Sequence, residues 1–131
     1  MIRNLSRYFA LLCLIACLKP ALAQESGDLL SGYWKQEADS VYIKVVNSNG
    51  VYEAEMIRND WAPALVGTMY LQNVVPVEGR DNRWIGESSI KDSDDVARAT
   101  LRVNRSGVLS TRLRPGGRAR WLRTDPIEKR F

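Results

Sequence analysis

Val96-Ala-Arg-Ala-Thr-Leu-Arg-Val-Asn-Arg105 decides the fold. Ala97, Ala99, Leu101 and Val103 fall on one side of an extended chain, with Arg98, Thr100, Arg102 and Asn104 on the other. Side chains of a strand point alternately to opposite faces, so this period of two predicts a strand with one buried face and one wet face. Arg105-Ser-Gly107 then reads as a turn. Val108 to Arg114 repeats the pattern, setting Leu109, Thr111 and Leu113 against Ser110, Arg112 and Arg114. Pro115-Gly-Gly117 turns the chain again, and Arg118 to Thr124 closes the domain. The charged tail from Asp125 is expected to fray.

Toward the N-terminus the same grammar holds. Lys91-Asp-Ser-Asp-Asp95 is a polar turn, Trp84 to Ile90 a strand and Gly79-Arg-Asp-Asn82 a hairpin turn. Leu65 to Asn73 reads as a strand that Val74 to Glu78 extends past Pro76, a residue that argues for a bend or an edge. Asn59 to Ala64 is a loop holding Trp61 and Pro63. Val41 to Val46 and Val51 to Arg58 form a hairpin about Asn47-Ser-Asn-Gly50, where Asn49-Gly50 supplies positive φ cheaply. Tyr52, Ala54 and Met56 should face in, Glu53 and Glu55 out. Gly32 to Ala38 is the first run. No long stretch carries apolar residues at helical spacing. The expectation is all-β: about eight short strands in a small antiparallel up-and-down barrel, which leaves no exposed edge, with a sandwich as the rival. The hydrophobic set is sparse, so any cavity should be small.

The first 23 residues have a different character. Met1 to Arg7 carries two positive charges, Tyr8 to Leu18 is an apolar run of eleven residues, and Ala21-Leu-Ala23 follows Pro20. This is the form of a secretory signal cleaved after Ala23. The run is shorter than the about 20 residues a transmembrane helix needs. Residues 24–131 are then one exported domain, periplasmic or secreted. Leu14-Ile-Ala-Cys17 also has the form of a lipobox, and the alternative is a chain anchored by lipid on Cys17.

Composition narrows the chemistry. The chain has no histidine, and its two cysteines, Cys13 and Cys17, lie in the signal. That removes imidazole bases and ligands and any disulfide from the domain. No enzyme activity, cofactor or metal is expected. Asp92-Ser-Asp94-Asp95 is a weak calcium pattern, better read as a solvated turn. Residues 24–95 hold 6 basic and 13 acidic residues, while residues 96–131 hold 10 and 2. Such a split marks either an anionic partner or two halves of one sheet system that neutralise each other.

Gly32-Tyr-Trp34 opens the first strand and Arg120-Trp-Leu-Arg123 ends the last. This resembles the lipocalin and avidin superfamily of closed barrels, in which an Arg of the final strand packs across the Trp near the closed end. A guanidinium over an indole is favourable in its own right. Trp84-Ile-Gly86 after a hairpin turn, the polar turn before an alternating strand, Gly107-Val-Leu109 and Trp121-Leu-Arg123 extend the likeness to a family of small secreted bacterial lipocalin-like proteins of unassigned function. The chain departs from that pattern in lacking a clear Gly in the Lys91–Asp95 turn and cysteines near its end. The resemblance implies an envelope-located binding barrel closed by Gly32, Trp34, Trp121 and Arg123.

Four sets of residues are candidates for a site. Trp34, Tyr52, Met56 and Trp84 have the parity to line the interior, as core packing or as a pocket for a small apolar or amphipathic ligand. Trp61, in its loop, would cap the core or contact a ligand or partner. Arg98, Arg102, Arg112, Arg114, Arg118 and Arg120 should share one outer face across three strands, a basic patch suited to an anionic envelope lipid. Nucleic acid is not expected, because no aromatic interleaves there as a stacking platform. Glu53, Glu55 and Asp60 would instead suit a cationic protein, such as a host lysozyme that this chain would inhibit. Glu53 and Glu55 form the one carboxylate pair to consider for catalysis, without a cleft. The leading expectation is a ligand-holding barrel; the alternative is an envelope interaction protein working from its outer surface.

Overall fold

The computed structural model describes residues 28–89 and 94–129. The signal, its cleavage site, Cys17 and part of the Lys91–Asp95 turn lie outside them. Eight strands follow one another: β1 (Gly32–Gln36), β2 (Val41–Ser48), β3 (Val51–Asn59), β4 (Met69–Pro76), β5 (Arg83–Ser89), β6 (Val96–Val103), β7 (Leu109–Arg114) and β8 (Arg118–Thr124). Each pairs antiparallel with the next, and β8 pairs back onto β1, so the sheet is a closed up-and-down barrel.

Alternation drives this arrangement. Along β6 every second residue is buried, from Ala97 to Val103. The buried set from all eight strands meets in one cluster that includes Trp34, Ile43, Tyr52, Leu71, Trp84, Leu101, Leu109 and Trp121. A barrel of eight strands has an interior just wide enough for side chains to fill. Leu30, ahead of β1, is fully buried and belongs to the same cluster. Among the described residues no buried side-chain nitrogen or oxygen lacks a hydrogen-bond partner. The Trp34 indole N–H donates to the Leu30 carbonyl at 2.9 Å, and that of Trp121 to the Thr111 hydroxyl at 3.0 Å.

The structure corrects several boundaries. The strand expected from Leu65 begins only at Met69, because Pro63–Leu65 forms a 3₁₀ turn. Proline presets the φ of such a turn. The Leu65 carbonyl accepts from the Thr68 backbone and hydroxyl, and Gly67, at φ 90°, donates to Met56. These bonds fold Val66 inward, where it is buried. β4 stops at Pro76 and bulges near Asn73, whose φ is 54°. The β2–β3 register also shifts, Tyr42 facing Arg58 and Ile43 facing Met56, so Ile57 is the extra residue and is buried beside Met56. The first strand ends at Gln36 rather than Ala38, and β6 at Val103 rather than Arg105. The tail does not simply fray: Lys129 forms an ion pair with Glu55, so residues 125–129 reach from β8 across to β3.

Candidate functional site

Closure of the barrel is built as the sequence suggested. Trp34 and Arg123 are direct register partners on β1 and β8, and the guanidinium lies 4.3 Å from the indole centroid. Arg123 also donates to the carbonyls of Ser31 and Leu29. Gly32 explains itself here: a Cβ at that position would stand 2.7 Å from Arg123 Nη1, and the residue has φ 129°. Trp121 is buried beside Tyr70, with ring centroids 5.5 Å apart. Burial pushes the Tyr70 phenol above its ordinary pKa, against the opposing effect of a hydrogen bond with Thr111. Arg120 does not cover Trp34; its side chain points outward and pairs with Glu37 at 3.3 Å, while its carbonyl accepts from the Glu37 N–H at 2.8 Å.

The interior candidates are brought together, and they use one another. Trp34, Tyr52, Met56 and Trp84 are all buried, and Tyr52 meets Trp84 edge to face at 6.4 Å. The Tyr52 hydroxyl donates to Asp28 at 3.2 Å. Asp28 also accepts from the Ser31 backbone and hydroxyl and from Asn47. This carboxylate ties the segment before β1 to the β2–β3 hairpin. Desolvation pushes the Asp28 pKa up, but the bonds from Ser31, Asn47 and Tyr52 outweigh it and hold the group below its ordinary value. Desolvation, then the Asp28 charge, raises the Tyr52 phenol.

Trp61 stands apart from these residues. It is 78% exposed, and the Asn59 side-chain oxygen fixes its loop by accepting from the backbone N–H groups of Trp61 and Ala62. The acidic set is partly engaged: Asp60 holds Arg58 at 3.1 Å, and Glu55 holds Lys129.

The arginines form the most distinctive surface. Outward residues of β5 to β8 align in rows across the strands. One row runs Arg83, Arg102, Ser110, Arg120, and the next runs Ile85, Thr100, Arg112, Arg118. A groove of about 810 Å³ follows these rows on the outer face, and Arg80 from the β4–β5 turn joins its lining. No Asp or Glu is among the lining residues. Arg98 and Arg114 flank it as a further like-charged cross-strand pair. Burial, then the charges of Arg114 and Arg118, lowers the Arg112 pKa below its ordinary value. Like charges directly opposite one another destabilise a sheet.

Arg80 and Arg83 are site residues that sequence reading missed. For Arg83 the signal was present in parity: if Trp84 faces in, Arg83 faces out. Grouping charge by segment hid it, because both residues lie in the acidic half.

A second groove of about 350 Å³ adjoins the first and shares Ile85 with it. Val75, Ile85 and Val96 in its lining are partly exposed, and Val75 is the direct register partner of Ile85. Around the barrel, one row therefore changes from Val75 and Ile85 through Thr100 to Arg112 and Arg118.

No family model, curated protein or solved structure matches the chain. No described helix is long and apolar enough to cross a membrane.

Proposed function

We propose that this chain is an exported binding protein whose ligand is an anionic amphiphile, held on the outside of a filled barrel. One observation carries the reading: six arginines border one groove that has no carboxylate in its lining, and a second groove beside it presents Val75, Ile85 and Val96. Guanidinium groups suit this role because they stay charged and offer planar forks to anions. The interior is the rival place for a ligand, and geometry favours the outside. The inner indoles of Trp34 and Trp121 give their N–H groups to Leu30 and Thr111, and Tyr52 gives its hydroxyl to Asp28. The likeness to small secreted lipocalin-like barrels belongs to the same proposal, and so does export with cleavage after Ala23. An intact mass beginning at Gln24 supports that cleavage; a diacylated Cys17 at the N-terminus replaces it with a tethered protein.

The direct test titrates the protein with dodecanoate and with neutral dodecyl maltoside, both below their micelle-forming concentrations. Saturable binding of the anionic compound alone, weakened by salt and by Arg112→Gln with Arg118→Gln, is the expected result. Equal binding of both compounds, or binding indifferent to these arginines, contradicts it.

A further inference from the structure

We infer that the groove seats a phosphorylated head group bearing two or more negative charges, on an apolar tail that lies across Val75 and Ile85. The inference rests on the reading of this groove as the binding face and specifies its ligand. Charge and shape argue for the head. Arg83, Arg102 and Arg120 stand on one row, Arg112 and Arg118 on the next, with the Thr100 and Ser110 positions between them. A carboxylate is planar, carries one charge and is satisfied by a single guanidinium fork. It would leave most of the cluster repelling. A phosphate monoester carries about −1.5 to −2 at pH 7 and presents three acceptor oxygens. It accepts from several forks arriving along different directions.

Adjacent strands lie about 4.8 Å apart. Arg112 and Arg118 are direct register partners on adjacent strands, so these two are the pair placed to share one phosphate.

Size and polarity argue for the tail. A groove of about 810 Å³ is in the range that holds an organic ligand of about 300–1,000 Å³ and is far larger than a lone phosphate needs. It runs on over Ile85 into the second groove, where Val75, Ile85 and Val96 are partly exposed. Glu87 and Arg98, which are register partners, both line that second groove, whereas no carboxylate lines the first. Head and tail of an amphiphile therefore find matching surfaces in the right order along one row.

Calorimetric titration of the intact protein with inorganic pyrophosphate, dodecyl phosphate and dodecanoate, each below micelle-forming concentration, tests this. Dodecyl phosphate should bind about tenfold or more tightly than dodecanoate, with pyrophosphate weaker than dodecyl phosphate but competing with it. Arg112→Gln with Arg118→Gln should lose about tenfold for dodecyl phosphate, while Lys44→Gln, on the opposite side of the barrel, changes nothing. The ranking of the three compounds needs only the unaltered chain, so a misfolded variant does not spoil the test. Equal affinity for dodecanoate and dodecyl phosphate overturns this inference and leaves the broader anionic-amphiphile reading standing. Pyrophosphate binding as tightly as dodecyl phosphate overturns the tail and makes this a free-phosphate site. Failure of all three overturns both readings. Phosphatidylcholine vesicles with and without phosphatidic acid separate a membrane-borne head from a dispersed one. Retention on the acidic vesicles that is lost in the double variant places the head in a bilayer, and no retention confines the ligand to dispersed amphiphiles.

Discussion

Arg123 does more for this fold than its position near the chain end suggests. Its guanidinium covers Trp34 and ties the carbonyls of Leu29 and Ser31, so it joins the first strand, the last strand and the segment that buries Leu30. A partly exposed cation–π contact and two hydrogen bonds together stabilise by about 1–2 kcal/mol. Arg123→Ala should lower stability by that amount in urea unfolding, and Arg123→Lys by less, since the ammonium keeps the charge but not the fork. An unchanged midpoint for both would remove Arg123 from the closure. Asp28 makes the same end of the barrel sensitive to acid. Its folded-state pKa lies below the ordinary 3.8, so its contribution is fully present above that value and is lost as pH falls through the folded pKa. Asp28→Asn should cost about 1 kcal/mol at neutral pH and flatten the decline in stability as pH falls below 3.8. A parallel decline in wild type and variant would contradict this.

The strands β5 to β8 carry charge in a way that opposes their own pairing. Arg83 faces Arg102, Arg98 faces Arg114, and Arg112 faces Arg118. Salt screens such exposed repulsion. Added salt should therefore raise the thermal midpoint of the wild type, and raise that of the Arg112→Gln, Arg118→Gln variant less; equal responses would mean the pairs do not repel. On β5 the backbone contact decides. A Cβ at Gly86 would stand 2.5 Å from Val74 Cγ2 and 3.0 Å from Val74 Cα, so the bulged β4 can lie close only because residue 86 is glycine. Overpacking of that kind costs about 1–3 kcal/mol, and Gly86→Ala should show it in thermal unfolding. Much of this scale was legible in the sequence. The alternation of Val96–Val103 and Leu109–Arg114 placed Arg102 and Arg112 outside, and the Trp34–Arg123 pair foretold closure. The late start of β4 was not legible, because the apolar run from Leu65 looks the same whether Pro63 begins a turn or precedes a strand. Nor was the Arg83–Arg102 pairing, which depends on register set through the β5–β6 connection rather than on any local pattern.

At the scale of the whole molecule, inside and outside do different work. Closure removes every strand edge and fills the interior with Trp34, Trp84, Trp121 and their neighbours. On the outside, the rows of β5 to β8 border a groove of about 810 Å³. In the sequence, the charge split between residues 24–95 and 96–131 was equally compatible with internal neutralisation. Among the described residues, Glu55 pairs with Lys129, Asp60 with Arg58, and Glu37 with Arg120 at the rim of the groove. No carboxylate lines the groove itself. The most direct check is a nuclear magnetic resonance titration of the labelled protein with dodecyl phosphate below its micelle-forming concentration. Shifts confined to the outer rows, at Ile85, Thr100, Ser110, Arg112 and Arg118, are the predicted result. Shifts concentrated instead at Trp34, Tyr52, Met56 and Trp84 would put the ligand inside the barrel and contradict the account.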